Sequence, residues 1–169
     1  MRRLWLLRHA KSSWDDPELP DHDRPLAPRG RSAATLMATH LDTEGIRPGL
    51  VVCSSALRAR ETLAAVLPAL GPELTVQLDP ALYTFSGARL LESVIALPSG
   101  PRDVMLVGHN PAMQELASAL AREGARLSVL REKYPTGALA GLELDVDGWA
   151  DAAPGCARLV AFVTPRDLS

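Results

Sequence analysis

Residues 4–14 read LWLLRHAKSSW, and the fold turns on why Leu4 to Leu7 run straight into Arg8 and His9, with Lys11 two places on. A short apolar run ended by charge is the signature of a buried strand emerging at its carboxyl end. A change of polarity would accompany any strand end. A histidine set among cations also suits a site for something anionic. The basic start, MRRLWLL, is expected to be a first strand rather than a signal peptide, because its apolar run falls short of the ~7 to 15 residues such a segment needs.

Working outward, short apolar or β-branched runs recur at Leu50 to Cys53, Thr75 to Leu78 and Val104 to Val107. The segments between them carry helical stripes. These are Ala33, Leu36 and Met37; then Leu63, Val66, Leu67 and Leu70; then Leu90, Leu91, Val94 and Leu97; then Met113, Leu116, Ala117 and Leu120. Strands alternating with helices of this length predict an α/β fold of three layers, an open, mostly parallel sheet with helices on both faces. Toward the C-terminus, ALAGLELDV and ARLVAFVT are separated by DGWADAAPG, which has no helical stripe, and are expected as a hairpin or a pair of edge strands. Residues 11–28, rich in proline and aspartate, are expected as a long functional loop.

The 169 residues, 47% hydrophobic and 22% charged, suffice for one core, and a single domain over residues 1–169 is expected. A net charge of -2 argues against a nucleic-acid partner, so any anion site must be local. No apolar run approaches the ~18 to 20 residues that cross a bilayer, so no membrane partner is expected. Two distant cysteines, Cys53 and Cys156, suggest neither a disulfide framework nor a thiolate metal site, and fit a reducing cytoplasm. Without coiled-coil heptads or a large apolar stripe, a monomer is expected.

In an open parallel sheet, ligands bind outside the carboxyl ends of the strands. The first such junction supplies Arg8 and His9. The second, VVCSSALRARET, supplies Ser54 and Ser55 as helix caps and Arg58 near the first turn. The third, VMLVGHNPAM, supplies Gly108, His109 and Asn110, with Pro111 suited to the first helical position. Two histidines and an arginine thus converge beside helix N-termini, whose free N–H groups and dipoles favour an anion. Arginine forks match phosphate oxygens, so the ligand expected is a phosphoryl group.

These stretches carry a family resemblance. LLRHAKS resembles the Arg-His-Gly or Arg-His-Ala motif of the histidine phosphatase superfamily, the phosphoglycerate mutase-like proteins. SSALRARET resembles its Ser-x-x-x-Arg-Ala-x-x-Thr element, and VGHNP its second-histidine motif. With DRPLAPRG and YPTGALAGLEL, the similarity is greatest to the short SixA-like branch, known for phosphohistidine phosphatase activity, and runs from Leu4 to Val163.

The resemblance implies that His9 is the nucleophile, forming a phosphohistidine that water hydrolyses, while Arg8, Arg58 and His109 hold the phosphoryl group. Ser54 and Arg24 are expected at the substrate, and no metal or organic cofactor is implied. A histidine attacks through an unprotonated nitrogen, which neighbouring arginines favour, and a backbone acceptor could fix the other nitrogen as N–H. The same cations stabilise the charge of the phosphoryl transition state. Ser54 and Ser55 lack a Gly-x-Ser-x-Gly elbow and are not read as nucleophiles. His22 and His40 lack metal-ligand spacing; one is expected half-buried and the other solvated.

The chain departs from the wider family after the third strand, where a glutamate is common but LDPALYTFSG places Tyr83. An alkoxide leaves poorly without a proton, whereas an imidazole departs neutral if its ring is protonated. This favours phosphohistidine in a protein as substrate. A small phosphorylated metabolite is the alternative, and a phosphate-binding module without strong catalysis is a third reading. Asp21, Asp23 and His109 stay open as proton donors. Without a long insertion to form a lid, the pocket is expected to be shallow and open.

Overall fold

The opening apolar run forms β1 (Arg2–Arg8), in which Leu4, Trp5, Leu6 and Leu7 are all buried. A strand covered on both faces has no polar side to alternate, hence the unbroken run. The computed structural model describes residues 1–169, and the chain continues through α1 (Pro28–Thr43), β2 (Leu50–Cys53), α2 (Leu57–Val66), β3 (Thr75–Leu78) and α3 (Gly87–Ile95). Then come β4 (Asp103–Gly108), α4 (Ala112–Leu120), β5 (Ala121–Glu123), α5 (Leu127–Glu132), β6 (Leu139–Leu144), β7 (Ala157–Val163) and α6 (Pro165–Leu168).

One seven-stranded sheet has the order β3-β2-β4-β1-β6-β7-β5, so β1 is its middle strand. The pairs β1–β4, β2–β4, β2–β3 and β5–β7 are parallel, while β6 lies antiparallel to both β1 and β7. Alternate side chains divide two cores between the faces. Leu4, Leu6, Val104 and Leu106 pack with Leu90, Val94, Met113 and Leu116 of α3 and α4. Trp5, Leu7, Met105 and Val107 pack with Met37, Leu41, Leu63 and Val66 of α1 and α2. The three-layer α/β architecture follows. No helix is long and apolar enough to cross a membrane.

Two expectations are corrected. The C-terminal strands form a hairpin but neither is an edge: β6 hydrogen-bonds β1 and β7, and the three-residue β5 takes the edge beyond them. The buried stripe of α1 is Gly30, Ala34, Met37 and Leu41, one position from Ala33 and Leu36, and Leu36 is 37% exposed. The short β5 and α5 carry too few residues to show a period.

Register delivers the site. Arg8 pairs with Gly108, and Cys53 with Val107, so β1, β2 and β4 end at one level. The His9 N–H donates to the Gly108 carbonyl at 3.0 Å and the Ser54 N–H to that of Val107 at 2.9 Å, carrying the pairing one residue past the strands. His9, Ser54 and His109 therefore emerge side by side at the carboxyl rim, where an α/β sheet holds its ligands.

Candidate active site

His9 is 6% exposed and His109 1%, with their ring centroids 5.2 Å apart. The backbone decides the tautomer of His9. Its Nδ1 lies 2.7 Å from the carbonyl oxygen of Ala10, which can only accept, so Nδ1 carries the ring proton and Nε2 a free lone pair. The Nε–H of Arg58 points at that lone pair from 3.4 Å. Burial pushes the His9 pKa down to about 3; the Ala10 carbonyl pulls the other way, and His109, Arg58 and Arg8 add to the fall. At neutral pH the ring is uncharged and its outward nitrogen is unprotonated.

Thr62 sets the Ala10 carbonyl in place. Its Oγ1 accepts from the Ala10 N–H at 3.0 Å and donates to the Arg58 carbonyl at 2.8 Å. One threonine on α2 thereby joins the loop after β1 to the turn bearing Arg58. From the other side, residues 134–138 brace the pair Arg8–His9. The Tyr134 carbonyl accepts from Arg8 Nη1 at 2.7 Å, the Tyr134 hydroxyl donates to the Leu6 carbonyl at 2.5 Å, and the Gly137 N–H donates to the His9 carbonyl at 2.9 Å. Gly137 has φ 76°, a conformation that suits glycine in this turn.

His109 Nε2 lies 2.8 Å from Ser54 Oγ, which accepts from the Ala56 N–H at 3.2 Å and has its own proton to give the ring. When Ser54 gives its proton to Nε2, the His109 proton sits on Nδ1, which is buried without a partner, as is Nε of Arg8. Two buried N–H donors left without acceptors beside an uncharged histidine nitrogen are the mark of an oxyanion site, because each otherwise bears an uncompensated desolvation cost. Burial and then Arg58 hold His109 down to about 4, with Asp21 opposing.

Arg58, 3% exposed, faces two ways. Inward, its Nε meets His9; outward, Nη1 donates to the Asp21 carbonyl at 2.7 Å and Nη2 to Asp21 Oδ2 at 2.9 Å. The Tyr83 hydroxyl donates to the same Oδ2 at 2.5 Å. Burial opposes ionisation of Asp21, but the Tyr83 hydroxyl and Arg58 outweigh it and hold the carboxyl at about 2. The loop that carries Asp21 is folded back on itself. The Ala27 N–H donates to the Lys11 carbonyl at 2.9 Å, and the Ser13 N–H to that of Pro25 at 2.8 Å, with Asp21–Asp23 forming a 3-10 turn at the tip.

The structure thus brings Arg8, His9, Ser54, Arg58 and His109 to one place. Arg24 it commits to the loop: Nη1 donates to Ser12 Oγ at 2.8 Å and to the Ser13 carbonyl at 3.1 Å, Nε to Asp21 Oδ1 at 3.3 Å, and the guanidinium carbon lies 3.5 Å from the Trp14 ring centre. Ser54 and Ser55 are not helix caps. The cap position of α2 is Ala56, Ser54 serves His109, and Ser55 Oγ lies 2.9 Å from His22 Nε2. Pro111 precedes α4 by one residue, and Asn110 Oδ1 accepts from the Gln114 N–H at 3.1 Å. Tyr83 and Phe85 stand beside His109, with ring centres 5.3 Å and 5.8 Å from its own, and His22 packs edge-on against Tyr83 at 4.9 Å.

Sequence reasoning missed Thr62 and the clasp of Asp21 by Tyr83. Thr62 was signalled only by its place in the Arg-Ala-x-x-Thr element. The clasp joins residues 62 positions apart and has no local signal.

Residues 4–87 match the model of the histidine phosphatase superfamily, branch 1. An uncharacterized protein of Mycobacterium tuberculosis is 37% identical over 164 residues, covering 95% of this chain and 100% of that protein. A solved structure described as a "putative phosphohistidine phosphatase SixA" from Nakamurella multipartitia superposes with a TM-score of 0.84 at 32% identity, covering 97% of this chain and 96% of the other. Its counterpart of the same description from Agrobacterium tumefaciens gives 0.81 at 32%, covering 97% and 98%.

Proposed function

The chain belongs to the histidine phosphatase superfamily, in its SixA-like branch, and is a phosphatase; we propose that it works through His9 and acts on phosphohistidine carried by a protein. The observation that carries this reading is the polarised His9 ring, with its proton tied to Ala10 and its free Nε2 facing the cationic Arg58.

The Nε2 lone pair attacks phosphorus, the bond to the leaving group breaks with its electrons going to that group, and a phosphohistidine forms at His9. Water then attacks phosphorus, and His9 leaves with its electron pair returned to Nε2. Arg8 Nε, His109 Nδ1 and Arg58 donate to the phosphoryl oxygens, whose negative charge they balance through the transition state. Ser54 orients His109. Arg24 supports the substrate side through the loop it braces. The transfer requires no metal ion or organic cofactor.

The choice of a phosphohistidine substrate rests on the proton supply. Asp21, the carboxylate bound to Arg58, is held ionised, and His109 is uncharged at neutral pH. Neither is a ready acid for an alkoxide, whereas an imidazole needs none at the breaking bond. We read the chain as a single-domain monomer and as cytoplasmic, the last supported by its two free cysteines. The test compares phosphate release from a phosphohistidine-bearing protein domain and from glycerol phosphate. The domain should react faster by at least about 100-fold, the scale of a missing general acid. A faster reaction with glycerol phosphate would contradict the proposal.

A further inference from the structure

Arg58 separates two regions of the site. Its Nε faces the attacking nitrogen of His9, while its two outer nitrogens reach Asp21, whose side chain is 44% exposed. Asp21 therefore lies on the solvent side of the phosphoryl cradle, where a group departing in line from His9 must emerge. A carboxylate offers about four lone-pair directions. On Asp21, Tyr83 and Arg58 take two at Oδ2 and Arg24 takes one at Oδ1. One direction at Oδ1 is left for a further donor.

If the substrate is phosphohistidine, attacking and departing groups are the same chemical species, an imidazole. The attacking ring has its distal proton held by the Ala10 carbonyl, which leaves the opposite nitrogen unprotonated and lets it accept and later release phosphorus as a neutral ring. The departing ring must meet the same condition at its own distal nitrogen. We propose that Asp21 is a specificity-determining residue that accepts a hydrogen bond from the distal N–H of the substrate's phosphoimidazole ring, doing for the leaving ring what Ala10 does for His9. This rests on the proposed reading of His9 as nucleophile.

The step balances without another reagent. The His9 Nε2–P bond forms, the substrate N–P bond breaks, its electron pair goes to the ring nitrogen, and the distal proton stays on the ring beside Asp21, so neutral imidazole departs. Tyr83 and Phe85, with ring centroids 5.8 Å apart, supply an aromatic wall for a flat leaving group beside that carboxylate. The charged and titratable groups acting on Asp21 are Arg24 on its own loop, Arg58 on α2, Tyr83 after β3 and His109 after β4, while His22 and Asp23 on the loop contact each other. The cations and the Tyr83 hydroxyl keep it an acceptor, and the role of proton donor to an alkoxide is the opposite assignment.

The test is Asp21→Asn, assayed against phosphoimidazole, p-nitrophenyl phosphate and glycerol phosphate over a range of pH. Loss common to all three reports the disturbed Arg58 contact. The inference predicts an additional loss of about 10- to 100-fold for phosphoimidazole alone, the worth of a hydrogen bond to a charged group. The alkaline limb of the phosphoimidazole profile should also move down by about one pH unit, because the ring loses the acceptor that keeps it protonated. Equal losses with an unmoved limb would overturn the inference, as would a larger loss for glycerol phosphate, which would make Asp21 the acid. Wild-type protein that forms no phosphoryl-enzyme from any donor would instead overturn the reading of His9.

Discussion

His9 Nδ1 lies 2.7 Å from the carbonyl oxygen of Ala10, the next residue in the chain, and this contact determines which ring nitrogen can attack. The Ala10 peptide is pinned in turn by Thr62, whose hydroxyl takes the Ala10 N–H. The reactive geometry thus depends on a buried side chain that touches no substrate.

Thr62→Val keeps the shape of the side chain and removes both hydrogen bonds. It should lower kcat by about 10-fold and cost about 1–3 kcal/mol of stability, since the Ala10 N–H is left buried without an acceptor. Urea unfolding reads the second effect and steady-state kinetics the first. A variant with unchanged kcat would show that Ala10 needs no anchor.

The pH dependence follows from two depressed histidines. His9 at about 3 and His109 at about 4 lie below the ordinary 6.5, so acid does not protonate the attacking nitrogen until well below neutrality. Corrected for ionisation of the phosphate, kcat/KM should stay level from about pH 7 to about pH 5 and fall only below about pH 4. An acid limb near 6.5 would contradict this. Between 6.5 and those values the unfolded chain binds more protons than the folded one, so stability declines as pH falls through that window. Asp21 acts in the same direction at lower pH: its contribution is present above 3.8 and is lost as pH falls toward about 2. Melting temperatures across that range test both signs, and His9→Asn should flatten the upper part of the slope.

Arg58→Lys retains charge but not reach. One ammonium cannot face His9 Nε2 and also bind the carbonyl and carboxylate of Asp21, contacts that Arg58 makes through three separate nitrogens. A fall in kcat/KM of about 100-fold or more is expected on p-nitrophenyl phosphate. A fall below about 3-fold would show that charge alone suffices.

Gly30 lies in the first turn of α1, where a Cβ would collide with the Lys11 carbonyl. Backbone cannot yield as a flexible side chain can. Gly30→Ala should cost about 2 kcal/mol or more and lower kcat/KM, because Lys11 follows the residue that holds His9. Denaturant midpoints together with activity on an aryl phosphate check it, and a neutral variant would mean that the loop carrying Asp21 shifts without effect on the site.

Much of this was legible in the sequence because the parallel strands are buried on both faces and leave continuous apolar runs. Leu4 to Leu7 marked the middle strand, and the residues after it and after β2 and β4 marked the rim where His9, Arg58 and His109 meet. The interior place of β6 and β7 was not legible, because the strand beyond them, Ala121–Glu123, is too short to show a pattern. Ser54 misled for a chemical reason: a hydroxyl before a helix suits a cap and a histidine partner equally well, and only the register of β2 against β4 selects His109. Asp21 and Tyr83 meet through tertiary folding of two loops, which no periodicity encodes.

The central claim is that His9 carries the phosphoryl group. Its most direct measurement is mass spectrometry of the enzyme quenched with alkaline denaturant after brief reaction with a phosphohistidine-bearing domain, compared between wild type and His9→Ala. Wild type should show one acid-labile phosphoryl group mapped to His9, and the variant none, with turnover reduced by at least about 1,000-fold. A phosphoryl group on another residue, or wild-type turnover by His9→Ala, would contradict the account.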